Sequence, residues 1–220
     1  MSNTFPRVIT DVVTHEVSPT WSREALTLKA GGATTIGTVL GMVFIAAAVA
    51  AAKAGNTGNG TLVLDATTPV LAGAKPGVYA VRFTSATAFT VEDPDGFVLG
   101  NGSNGTAFAD DLKFVTTAGG TAFVAGDGFD ITVSEAALDG ESRPKVAPLN
   151  LSAVDGSQYA AAVAIQEMSV STSDQQVLSV PRGVVIDPDE LTWPDGITAP
   201  QKAAALRQLR ERSIVARKSI

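Results

Sequence analysis

Cysteine is absent from the 220 residues, and histidine occurs once, as His15. Without thiols no disulfide can form. A zinc site, which takes three or four His, Cys or carboxylate ligands, would have to draw on carboxylates. His15 lies in a polar, strand-like N-terminal segment and reads as an exposed bystander, which leaves triad chemistry without a base. Charge is sparse as well: Asp, Glu, Lys and Arg make up 17% of the chain, with a net charge of −6. Ordinary globular proteins carry about a quarter. The acidic balance argues against general nucleic-acid binding. The N-terminus shows neither a basic flank nor a cleavage-site pattern, so no export signal is expected.

Apolar residues account for 45% of the chain, enough for a sizeable core in one or two domains. Glycine (21) and proline (11) are plentiful. Together with many Val and Thr residues they favour strands and tight turns. The longest uncharged stretch, 23 residues between Lys29 and Lys53, could span a bilayer by length. Gly37 and Gly41 even have the spacing of packed membrane helices. Only Ile36 to Ile45 is strongly apolar, however, so the stretch reads as a buried strand and no membrane span is expected. Gly32 and Gly37 have the separation of a phosphate-binding loop, but Thr38 stands where the lysine must be. The reading that remains is "REALTLKA", a turn at Gly31-Gly32, then "IGTVLGMVFI" as a second strand.

Val8 to Thr14 is β-branched at every position except Asp11, and Pro6 and Pro19 bracket it. It reads as an extended strand with no local partner, to be paired elsewhere in the fold or on another molecule. Beyond the glycine-rich "KAGNTGNG" the pattern changes. "GVYAVRFT", "AFTVED", "DLKFVTT" and "FDITVS" alternate with period two between turn signals, as in a small antiparallel sandwich. With polar borders at "KAGNTGNG" and "DGESRPK", residues 53–143 read as a domain inserted in a loop. Alternation puts most of its aromatics, Tyr79, Phe83, Phe89, Phe97 and Phe108, in the core. The chain resumes with strands in "YAAAVAIQEMSV" and "LSVPRGVVID". A helix capped by Thr198 follows, with Ala203, Leu206 and Leu209 on one face, and "SIVAR" can return as a last strand. Residues 199–220 carry +5 and the remainder −11, which reads as a solvated helix face or as a contact for an acidic partner surface.

No motif carries catalysis or a cofactor. "EDPDG" spaces Asp93 and Asp95 like a calcium loop but lacks the remaining oxygens, so a hairpin turn is expected. "GDGFDITV" matches one calcium nonapeptide repeat, which works only when stacked. "SRPK" has Ser-x-x-Lys spacing, but Pro144 denies it a helix. Asp110-Asp111 cannot be placed across a cleft from spacing alone. The expectation is a non-enzyme with no metal and no cofactor.

"SREALTLKAGGATTIGTVLGMV", "DGSQYAAAVAI", "RGVVIDPDELTWP" and "LRQLRERSIVAR" resemble the head decoration protein family of tailed phages, phage lambda head decoration protein-like. The 53–143 segment resembles glycine-rich β modules of other virion proteins through "KPGVYAVRF" and "FVAGDGFDITV". The resemblance implies a mainly β chain with a C-terminal helix. Its parts would be an extended capsid-binding arm (1–21), a small β-barrel-like body (22–52 plus 144–220) and the inserted sandwich (53–143). It further implies a structural homotrimer that cements the major capsid protein lattice on the outer surface of the virion. The arm residues would be Phe5, Pro6, Val8, Ile9, Thr10, Val12, Val13 and Thr14. Trp193, Pro194, Leu206 and Leu209 would pack the body or trimer, with Trp193 buried between "RGVVID" and the helix. The alternative is a surface module that binds carbohydrate or host through the insert.

Overall fold

The structure, a computed structural model, describes residues 7–218. From the N-terminus the elements are α1 (Ile9–Val12), β1 (Val13–Glu16), α2 (Pro19–Ser22), β2 (Glu24–Leu28), β3 (Val39–Met42) and β4 (Ile45–Ala52). Next come β5 (Thr61–Leu64), β6 (Gly77–Phe83), β7 (Ala88–Glu92), β8 (Val98–Ser103), β9 (Ala107–Ala109), β10 (Lys113–Thr117) and β11 (Gly128–Glu135). The remainder holds β12 (Val146–Pro148), β13 (Ala160–Ala164), β14 (Gln175–Val180), β15 (Val184–Ile186), a 3-10 turn at Pro188–Glu190, α3 (Ala199–Glu211) and β16 (Ile214–Ala216). Internal packing divides the chain into Phe44–Ala136 and a body formed by the segments on either side.

The body is built on a closed barrel of order β12-β2-β14-β13-β3. Gly31 turns the chain after β2 with φ +85°, as expected of it. The two strands it separates nevertheless do not pair. β12 lies between them, parallel to β2 at Val146–Leu28 and antiparallel to β3 at Val146–Met42. Gly41, one of the two glycines at membrane-helix spacing, packs where a Cβ would strike the Ser157 backbone. A close strand-to-loop approach is therefore what requires it. β13 is buried at all five positions, which is why "AAAVA" shows no alternation.

A second sheet, β1-β15-β16, covers one side of the body. Here the structure corrects the extended, unpaired reading of Val8 to Thr14. Asp11 accepts the Val8 N–H through Oδ2 at 2.8 Å and closes one helical turn, α1. A side chain that satisfies nearby backbone competes directly with strand formation. β1 then pairs antiparallel with β15, and Val12 and Val13 enter the body core beside Val163, Ile186, Leu209 and Ile214. "SIVAR" does return, as β16, parallel to β15. Helix α3 begins at Thr198, whose N–H donates to Gln201 Oε1 at 2.8 Å. It buries Ala205 and Leu209, with Leu206 packed beside them, whereas Ala203 is exposed. The buried stripe therefore runs i to i+4 from Ala205, not through Ala203.

In Phe44–Ala136, sheet β4-β11-β6-β7-β8 faces sheet β5-β10-β9. Phe83 stacks on Phe123 at 3.9 Å, while Phe89 lies 6.3 and 5.8 Å from Phe108 and Phe114 across the interior. Tyr79, Phe83, Phe89 and Phe108 are buried; Phe97 is 70% exposed. The unit begins at residue 44, not 53, because β4 runs in register with β11 from Ile45–Glu135 to Ala52–Phe129. The glycine-rich "KAGNTGNG" is tied down as well. Asp127 accepts the N–H groups of Thr57, Gly58 and Val124, and Asn56 bonds both backbone groups of Gly128. The apparent calcium repeat around Asp127 is thus a loop anchor, and those donors hold its carboxyl below the usual range.

Candidate functional site

The N-terminal segment leaves the body beside Arg7. The Arg7 guanidinium donates to the Ile36 carbonyl at 3.2 Å and to Thr192 Oγ1 at 2.9 Å, and pairs with Glu190 at 3.2 Å. Gly37 makes room for this joint: its φ is +94°, and a Cβ there would lie 2.6 Å from the Glu190 carbonyl and 3.2 Å from Arg7. Arg7, Glu190, Thr192 and Gly37 were not legible as a group, since up to 185 positions separate them. Of the expected arm residues, Phe5 and Pro6 lie outside the described residues. Val8, Thr10 and Thr14 are exposed, and Thr14 donates to the Val185 carbonyl at 3.2 Å. Ile9 is half-buried, and Val12 and Val13 belong to the core. β1 is an edge strand of its sheet.

Adjoining that exit is a groove of about 410 Å³. Thr35, Thr38 and Thr192 form a hydroxyl-lined wall, and Leu149, Met168, Trp193 and Pro194 an apolar one. Thr38 Oγ1 accepts the Thr35 N–H at 2.9 Å, which fixes the wall after the turn. Trp193 is half-buried rather than enclosed. It packs on the core, lines the groove and holds Lys202 Nζ 5.8 Å from its ring centre. Glu167 reaches the groove, and Asp195 follows Pro194; both are exposed and join no ion pair among the described residues.

The opposite charge collects on α3 and β16. Arg207, Arg210, Arg212 and Arg217 are exposed, while Lys218 pairs with Asp189 at 2.7 Å, which raises the Lys218 pKa. Elsewhere polar clusters are internally satisfied. Arg143 joins Asp139, Glu24 and Glu141, and backbone N–H groups of Arg143 and Glu141 hold Asp139 at a pKa of about 2. That places "SRPK" in a loop, with Lys145 paired to Asp174 at 2.6 Å. Lys75 bridges Asp93 and Asp95 in the "EDPDG" turn. Burial raises the Asp111 pKa and pushes Tyr79 to about 12. No group of three or more His, Asp or Glu among the described residues could hold a metal ion, and no helix there is long and apolar enough to cross a membrane.

The model of the bacteriophage lambda head decoration protein D family matches residues 3–214. The chain belongs to this family. No curated protein matches the sequence. Two crystal forms of Xanthomonas campestris FlgL align with TM-scores of 0.32, at 20% and 18% identity. They cover 50% and 80% of this chain and 33% and 47% of theirs. The flagellar hook junction protein FlgK from Burkholderia pseudomallei aligns at 0.33 and 22% identity, over 62% of this chain and 23% of that one. The chain spans less than half of these structures, and likenesses this weak carry no argument. Head decoration proteins are structural proteins of the phage head, so the exit at Arg7, the groove and the arginine face are examined as surfaces rather than as a reaction centre. Of the residues expected to pack this decoration protein's body, Leu209 is fully buried, Leu206 and Trp193 lie against the core, and Pro194 lines the groove.

Proposed function

We propose that the protein binds the outer surface of the expanded phage head as a homotrimer and cements the major capsid protein lattice. The observation that carries this reading is the family match over nearly the whole chain. In this reading the residues up to Val8, with Phe5 and Pro6 among them, reach the lattice and add a strand to the capsid protein. Arg7 then fixes the origin of the reaching segment on the body, since it holds three groups of the body at once. About six backbone hydrogen bonds at roughly 0.5–1.5 kcal/mol each give only a few kcal/mol per arm. Ordering the arm costs about 1–2 kcal/mol per residue. Three arms on one trimer bind together, and effective concentration then raises affinity by about 10²–10⁴-fold.

The unit Phe44–Ala136 projects away from the lattice in this proposal and folds as an inserted domain. Its aromatics support packing rather than a sugar-binding platform, as four of the five that the sequence offers are buried. Electron microscopy of heads with and without added protein tests the whole reading. The expected result is threefold density on the outside of expanded heads, together with higher resistance of those heads to chelators or heat. Protein that leaves expanded heads undecorated at micromolar concentration would refute it.

A further inference from the structure

All sixteen Lys and Arg side chains lie among the described residues, and ten of them enter ion pairs there. The six without one are Lys53, Lys202, Arg207, Arg210, Arg212 and Arg217, so five of the six fall on α3 and the strand after it. This clustering is unexpected in a chain with six more acids than cations. Lys202 already lies over Trp193, which leaves four exposed arginines. β16, from which Arg217 follows, is an edge strand, and Val215 on it is 39% exposed. An exposed valine among arginines makes the face more than a solvated fringe, because arginine stems cover apolar surface while their heads pair.

The same body carries a surface of the opposite kind. The groove beside Trp193 and Met168 is apolar within, and the carboxylates of Glu167 and Asp195 at its rim have no cation of their own. We propose that these two surfaces are partners between copies: the arginine face of one protomer seats on the acid-rimmed groove of the next. The occupant is a second copy of this chain because the charge complement is present in the chain itself, +5 in residues 199–220 against −11 in the rest. Two different, complementary patches on one molecule give a heterologous contact, and such contacts close into rings when the rotation allows. The inference rests on the trimer of the proposed function and names the contact that closes it.

Exposed ion pairs contribute little singly, while like charges facing each other cost several kcal/mol, so reversal is more informative than removal. The experiment measures mass by light scattering and analytical ultracentrifugation, across salt concentrations, for four proteins. These are wild type, Arg207→Glu with Arg210→Glu, Glu167→Lys with Asp195→Lys, and all four changes together. Circular dichroism melts confirm that each variant is folded; all four positions are exposed. The expected result is a wild-type trimer weakened by salt, each reversed pair weakening association by roughly tenfold or more, and recovery when both faces are reversed. Mixing the two singly reversed proteins should also restore association, because each retains one reversed face that matches the other. A wild-type monomer under all conditions would overturn the trimer reading itself. A wild-type trimer indifferent to every reversal would overturn this contact alone. Duplex DNA bound by wild type and lost with the arginine reversal, at unchanged trimer mass, would assign the face to nucleic acid and likewise overturn it.

Discussion

Trp193 shows how far a single residue can be read. The sequence makes it a buried anchor, because Pro194 stiffens the backbone after it and a capped helix follows. The structure keeps the contact with the core but leaves the ring half-buried at the groove. Trp193→Ala is therefore expected to cost about 2–3 kcal/mol, below the roughly 3–5 kcal/mol of a fully enclosed aromatic. Thermal melting checks this; a loss under about 1 kcal/mol would mean that the ring does not support the core. The carboxylates give a second expectation. Donors hold the pKa values of Asp139 (at about 2), Asp127, Asp174 and Asp65 below their ordinary range. A depressed folded-state pKa contributes stability that is complete above the unfolded value near 4 and is lost as pH falls through the folded value. Melting temperature should thus hold from pH 7 to about 5 and fall continuously from pH 4 toward 2. Asp139→Asn should shallow that fall. A flat profile down to pH 3 would contradict the donor network. None of these donors was visible in sequence, because Asn56, Thr57 and Gly58 meet Asp127 only after a whole sandwich has closed between them.

Among the elements, β1 is the instructive one. β-branching correctly marks Val13 to Glu16 as a strand, yet its partner β15 lies about 170 positions away and no local pattern names it. The preceding turn, α1, depends on one carboxylate, Asp11, which a tally of β-propensity discounts. The consequence is a sharp difference between two truncations. Removing residues 1–6 should leave the melting temperature unchanged and abolish binding to expanded heads. Removing residues 1–17 strips Val12 and Val13 from the core and β1 from its sheet. At about 1.5–3 kcal/mol per buried valine, that costs on the order of 3–6 kcal/mol before any head is met. Equal melting temperatures for the two truncations would show that β1 does not belong to the body. The sandwich strands were more legible, since β6, β7, β10 and β11 alternate cleanly around buried aromatics. β4 was not, because "IAAAVAAA" carries no alternation and continues the apolar run before it.

For the whole molecule, the fold class was written in composition and punctuation: few charges, many glycines, strands at short spacing, one capped helix. Strand partnership was not, and the borders of the inner unit depend on it. Replacing residues 44–136 by a short Gly-Ser linker between Val43 and Ala137 is expected to leave a soluble, cooperatively melting body. A replacement of 53–143 instead strands β4 without β11 and removes Asp139 and Arg143 from their ion pairs with the body. That protein should melt lower and aggregate through its unpaired alanine strand. Size-exclusion chromatography and calorimetry compare the two; a better-behaved 53–143 replacement would move the border back.

The barrel order also sets a timetable. β2 and β3 pair only with β12, β13 and β14, all of which come after residue 145. While the ribosome makes Phe44–Ala136, the first two barrel strands have no partner in existence, an interval on the order of ten seconds at ordinary synthesis rates. The inner unit, whose partners are all its own, can close during that wait. The body is therefore the last part of the newborn chain to fold, and its opening segment must stay soluble until the far end arrives.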